Sequence, residues 1–277
     1  MEKELRELTI KDIIDRKYNS NIDIIAIGSE RCANYFCKQL ETILKQGLYK
    51  GLRIALVTPK VPNEYFNYLL DLILQLNKVT DIAYIVVNDY GLLYALNKRN
   101  IKNIILGRIL IRSISYSPWK QFFVKNEDSP LQENLKMVNL IHDSKLKLFK
   151  KFNIQGFEIC NYDMTDKIIE LLHNRDFTAH VHQDTFIATI GRTCPNTRLL
   201  KQNPQNCSCS CENPLDINLN RIWISSLYFK ECDKNKCVIP MLKGRGNAIY
   251  YRNTEKSEIT HADVLIYDNK IDKDILE

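Results

Sequence analysis

The chain has 277 residues, 45% hydrophobic and 26% charged, which excludes a disordered or fibrous protein and allows one sizeable core. No uncharged apolar run reaches the ~18 residues of a membrane span, and the charged start MEKELRELTIKDIIDRK is unlike a secretory signal, so a cytoplasmic protein with reduced thiols is expected. The net charge of +6 comes from scattered Lys and Arg with no block of five or six, which fits a solvated surface better than a nucleic-acid track.

Residues 1–20 read as a short charged helix or a lead-in segment. The run 22–28 (IDIIAIG) is short and apolar, the mark of a buried strand, and it stops at Gly28-Ser29-Glu30-Arg31-Cys32, a strand-to-helix turn. Phe36, Leu40, Ile43 and Leu44 recur at helical spacing over 35–47. A strand at 53–57 (RIALV) stops at Thr58-Pro59, and 63–76 is an amphipathic helix through Tyr65, Leu69, Leu70, Leu72 and Ile73. The rhythm repeats with a strand at 82–87 (IAYIVV), a helix at 90–100 and a strand at 104–111. Residues 113–128, with Pro118-Trp119, interrupt it as a loop excursion. A helical period returns over 131–152, followed by a strand at 156–160, a helix at 167–173 and a strand at 178–188. After a cysteine-rich loop, strands are expected at 221–229, 248–251 and 262–267, the last closing the sheet.

Strands and helices alternating at this interval build βαβ units on a parallel sheet. Six or more units favour a TIM-like (β/α)8 barrel over an open doubly wound sheet. No Gly-rich phosphate fingerprint follows 22–28, which argues against a dinucleotide fold. With no boundary in composition, 1–277 is read as a single barrel domain, its core at about 20–215 and its C-terminal closing segment at 216–277.

Four of the nine cysteines lie in 190–213, IGRTCPNTRLLKQNPQNCSCSCEN. Cys194, Cys207 and Cys211 are spaced C-x12-C-x3-C, with Cys209 an extra thiol. Thiolates gathered so closely select zinc, copper(I) or an iron–sulfur cluster; disulfides are the alternative, disfavoured in a reducing compartment. In a barrel the βα loops converge at the C-terminal ends of the strands, which would place Cys32 on the face of Cys194 and argues for it as the fourth ligand. Zinc has a rival set in Cys207, Cys211, Cys232 and Cys237, whose spacings resemble paired knuckles.

The same face should carry Glu30, Asn88, Asp89, Glu158 and Cys160. His180 and His182 alternate on a strand and so point to one side. Glu158 and Asp163 are candidate acid–base groups, and Arg192 is a candidate donor to cluster sulfur or to an anionic substrate. Cys37 and Cys160 read as buried apolar thiols. No serine elbow and no Cys-His dyad signature is present.

The segments IAIGSERC, VNDYGLLYAL and GRTC…C…C together resemble the UbiV-like group of the collagenase-like peptidase (U-thirty-two) superfamily over about residues 20–215. The resemblance implies a TIM-like barrel holding a 4Fe-4S cluster on Cys32, Cys194, Cys207 and Cys211. It implies oxygen-independent hydroxylation of a small molecule (a ubiquinone precursor) or of an RNA base. The chain would be the catalyst or the cluster-bearing half of a heterodimer with a related second subunit. Glu158, His182 and Arg192 would be catalytic groups at the barrel mouth. The sequence departs from the family in lacking an Asn-rich stretch after ILGRILIR and in adding Cys209, Cys232 and Cys237. Readings from other classes are a zinc-stabilised binding module and a peptidase.

Overall fold

Seven consecutive parallel strands and one late strand close into a barrel in the computed structural model, which describes residues 1–118, 120, 129–139, 142–191, 194, 197–198, 201, 203, 207, 211, 215–217 and 240–269. The consecutive strands are β1 (Glu2–Arg6), β2 (Ile24–Gly28), β3 (Ile54–Val57), β4 (Ile82–Val87), β5 (Ile104–Leu106), β6 (Ile154–Cys160) and β7 (Thr178–His182). Then β8 (Thr185–Ile190), β9 (Leu215–Ile217), β10 (Leu242–Arg245) and β11 (Ala248–Arg252) form an antiparallel sheet in the order β8-β11-β10-β9. Finally β12 (Val264–Asp268) inserts between β7 and β1 and closes the ring. This is the expected TIM-like barrel, with a four-stranded excursion where the last βα unit would stand.

The helices are α1 (Ile10–Ile14), α2 (Ala33–Gln46), α3 (Asn63–Val79), α4 (Tyr90–Asn97), α5 (Ser129–Lys136), α6 (Asp143–Lys151) and α7 (Thr165–His173). Their ends follow local chemistry. Thr9 and Asp12 form a capping box at α1, Asp89 caps α4 by accepting from the Leu92 amide at 3.0 Å, and α2 stops at Gly47 with φ +64. Among the described residues no helix is long and apolar enough to cross a membrane.

The core has two layers, as the two buried faces of a parallel strand require. Phe36, Leu40, Ile43, Leu69, Ile73 and Leu76 fill the space between strands and helices. Ile24, Ala26, Ala55, Val57, Tyr84, Val86 and Ile105 pack inside the ring.

Four expectations change. The lead-in segment holds a barrel strand, because the alternation Glu2-Lys3-Glu4-Leu5-Arg6 buries Glu4 and Arg6 inside the barrel while Leu5 joins the outer layer. The strand expected at 104–111 ends at Leu106, since the Asn88 side chain occupies the space over Gly107, 2.2 Å from where a Cβ would stand, and the chain turns inward. The helix expected at 131–152 is two, α5 and α6, with Asn139 between them bonded through its amide and its side chain to Arg112. The strand expected at 178–188 splits at Gln183-Asp184, so that β7 stays in the barrel and β8 leaves to pair with β11. The strand expected at 221–229 lies outside the described residues.

Candidate functional site

Side chains alternate across a strand, so Glu4 and Arg6 on β1, Glu158 on β6 and His180 and His182 on β7 all point into the barrel. The register holds them in layers: Glu158 lies opposite His180, and Arg6 opposite Asp268. In the lower layer Tyr84 stacks edge-on against His180 with centroids 4.7 Å apart, and its hydroxyl donates to Glu4.

Above it the Arg6 guanidinium stands among three carboxylates. It donates to Glu4 and Glu158, lies 3.4 Å from Glu30 Oε1 and reaches within 3.5 Å of His182 Nε2. His182 Nε2 is 3.3 Å from Glu158 Oε2 and 3.8 Å from Glu30 Oε1. At the mouth Arg108, carried inward by the turn after β5, forks onto Glu30 at 2.7 and 2.9 Å and donates to the Thr185 carbonyl at 2.8 Å. Its backbone amide donates to Glu158 Oε2 at 3.3 Å, and Thr185 donates its hydroxyl proton to Asp268. Glu158 is 0% exposed and Arg6 4%.

Four buried carboxyl groups thus share two guanidiniums, a balance that drives the acids apart. Burial pushes Glu4, Glu30 and Asp268 above the ordinary carboxylate range despite their arginines. Burial works on Glu158 too, but Arg6 and His182 outweigh it and hold it below that range. Burial holds His182 neutral, helped by Arg108 and Arg6, and pulls His180 down to about 4.

The sign of the resulting pH dependence follows. An unfolded histidine titrates near ~6.5, so between that value and about 4 the unfolded chain binds a proton that folded His180 does not. Although the raised Glu4, Glu30 and Asp268 act the other way, the His180 contribution to stability is expected to fall as pH drops through this window, by about 2 kcal/mol between pH 6.5 and 5. His182 acts in the same direction. Urea midpoints across that range should show the loss, with a shallower slope in His180→Asn; equal slopes in the two proteins would refute it.

The cysteines form a second group on the same face. Cys32 is the N-cap residue of α2, where burial raises its thiol while the amides of Tyr35 and Asn34 pull the other way. Cys194, Cys207 and Cys211 come from the loop between β8 and β9, and all four thiols are free of disulfides. Burial raises the Cys211 thiol; Arg31 opposes this, while Cys32, Cys194 and Cys207 add to it, so these three lie within electrostatic reach of Cys211, as Cys194 does of Cys32. Lys38 donates to the Cys207 carbonyl at 2.5 Å, and Arg31 and Arg245 each donate to the Cys211 carbonyl at 3.4 Å.

Glu7 joins the two groups. It lies 2.5 Å from Arg31 Nη2 and 2.9 Å from Arg245 Nη1, and accepts from the Ser29 hydroxyl at 2.9 Å. Burial would raise its pKa, but the two arginines hold it at about 2. Tyr250 spans the gap: beyond burial, the charges that act on it are Glu7, Glu30, Arg31 and Arg108.

Among the described residues, Glu30, Glu158 and His182 have ligand atoms all within 4.8 Å of one another. A cation there would stand against Arg6 and Arg108, which already neutralise these carboxylates, so the arrangement suits proton handling and hydrogen bonding better than a metal.

Of the sequence candidates, Glu158 and His182 meet at the barrel mouth. Cys32, Cys194, Cys207 and Cys211 gather beside them. Asn88 and Asp89 are occupied structurally, bonding the Thr58 carbonyl and capping α4. Asp163 lies at the surface, 2.5 Å from Lys136. Cys37 and Cys160 are buried. Arg192, Cys209, Cys232 and Cys237 lie outside the described residues. Sequence reading missed Glu4, Arg6, Glu7, Arg31, Arg108 and Arg245. The signal for the first pair was the charged alternation before Leu8.

No family model and no curated protein matches the chain. A solved structure described as a U32 peptidase aligns over 97% of this chain and 92% of its own, with a TM-score of 0.47 and 8% identity.

Proposed function

We propose that this chain is an iron–sulfur protein in which Cys32, Cys194, Cys207 and Cys211 hold the cluster and the buried mouth network holds the reacting molecule. The observation that carries this is the meeting, at the C-terminal face of a barrel, of a thiol from residue 32 with three from 194–211. The donor set fits: it is all sulfur, as 4Fe-4S clusters require. It sits beside the N-terminus of α2 and two buried guanidiniums, which favour the thiolate form. Four thiolates on one zinc would lie about 3.8 Å apart with bonds of about 2.3 Å. Among the described residues no three cysteine thiols come within 4.8 Å of one another, so they are not gathered at the spacing of a single zinc ion.

When bound, such a cluster supplies one-electron transfer. The chain's own residues supply the rest. Arg6 and Arg108 orient the carboxylates, and Arg108 ties Glu30 to the Thr185 carbonyl. Glu158, held ionised, and His182, held neutral, with Oε2 and Nε2 3.3 Å apart, are acceptors able to take up a proton at the barrel mouth. With Glu158 0% and Arg6 4% exposed, the network is closed to direct contact with a folded RNA or a peptide. Oxygen-independent hydroxylation is the reaction class we assign, with the chain as catalyst or as the cluster-bearing subunit beside a related partner.

Anaerobic purification with an absorbance scan and iron, sulfide and zinc analysis tests the reading. A brown protein with about four irons and four sulfides per chain is expected. Cys194→Ser should lose both, and Cys37→Ser should keep them. Stoichiometric zinc without sulfide would overturn the assignment.

A further inference from the structure

The hairpin of β10 and β11 buries, beside the cysteines, polar atoms of two side chains that lack an aligned acceptor among the described residues. Arg245 is 1% exposed; although its Nη1 pairs with Glu7, neither Nη1 nor Nη2 has an aligned hydrogen-bond acceptor among the described residues. The Tyr250 hydroxyl, also on the hairpin and 1% exposed, has none either. A buried guanidinium with idle N–H groups is costly, so an acceptor belongs at its face. The hairpin lies close to the thiols: a Cβ on Gly246, the residue after Arg245, would stand 3.8 Å from Cys211 Sγ and 3.6 Å from Arg31 Cβ.

Arg31 completes the arrangement from the other side. Its charge acts on the thiols of both Cys32 and Cys211. Two guanidiniums share one carboxylate, Glu7, and so leave one positive charge in surplus beside four thiols. Four thiolates around a cubane cluster carry a net negative charge, and reduction adds another.

We infer that Glu7 holds Arg31 and Arg245 as positioning residues whose surplus positive charge raises the reduction potential of the cluster. The inference rests on the iron–sulfur reading above. A guanidinium in a poorly screened interior favours the more negative, reduced form, and the Glu7 carboxylate opposes it. Removing Arg245 therefore lowers the potential, and neutralising Glu7 raises it. Opposite signs are the mark of an electrostatic role, since mere loosening of the site would not reverse direction between the two.

The test is a spectroelectrochemical titration of the full chain, purified anaerobically, with iron and sulfide measured for each variant. Arg245→Met should shift the midpoint downward by at least a factor of ten in the one-electron equilibrium, about 59 mV. Glu7→Gln should shift it upward, and Arg245→Lys should restore most of the wild-type value. Unchanged midpoints at full iron content, or shifts of the same sign in the two charge variants, would overturn the inference and leave the cluster assignment standing. If Arg245→Met fails to hold iron, Arg245→Lys and Glu7→Gln decide the matter. A wild-type chain without iron and sulfide would overturn both readings together.

Discussion

Arg6→Met is expected to destabilise the fold by about 3–5 kcal/mol, the cost of stranding buried charges by removing one partner. Arg6 donates to Glu4 and Glu158 and stands 3.4 Å from Glu30, and all four residues are buried inside the barrel. Methionine fills much of the volume but supplies no charge, so the network must take up a proton or admit water. Only Arg108 then remains, and it is committed to Glu30. Urea denaturation at pH 7 reads the loss, and Glu158→Gln in the Arg6→Met background should recover part of it by removing one stranded charge. A loss below about 1 kcal/mol would mean that the carboxyls are neutral without Arg6, against the depressed value argued for Glu158.

The second large effect is expected at Gly28, where the chain leaves β2 to deliver Glu30, Arg31 and Cys32. Gly28 has φ +92, and a Cβ there would stand 2.4 Å from the Val57 carbonyl oxygen and 2.5 Å from the Phe36 ring. Both neighbours are fixed, one in β3 and the other fully buried on α2. Gly28→Ala should therefore cost about 3 kcal/mol or more, combining backbone strain with overpacking. It should also lower the iron bound per chain by displacing Cys32. Gly51→Ala isolates the backbone share, because Gly51 has φ +74 with nothing within 4 Å of an added Cβ; about 1–2 kcal/mol is expected there. Equal losses at the two positions would refute the steric argument.

Much of the barrel is legible in the sequence because its strands are short apolar runs buried on both faces and its helices repeat apolar residues at 3.6. IAYIVV and NEYFNYLLDLILQLNKV announce β4 and α3 without any tertiary knowledge. The turn chemistry is local too, as at Asp89 and Gly47. β1 is not legible, because its inward face carries Glu4 and Arg6 and inverts the usual pattern of apolar inside and polar outside. The division of 178–190 into β7 and β8 is equally hidden, since TAHVH and TFIATI are both good strand sequences and only their partners, β12 and β11, separate them.

The site divides along the same line. Sequence alone determined the chemistry on offer: a C-x12-C-x3-C thiol set, a cysteine after an early strand, and Glu158 and His182 near strand ends. Only the tertiary structure decided what surrounds them, because the worth of a buried charge depends on partners far away in the chain. Arg6 meets Glu158 across 152 positions, and Arg108 meets Glu30 across 78. Local periodicity records which face of an element is apolar, whereas closure of the barrel sets which charges share one dry, low-dielectric space.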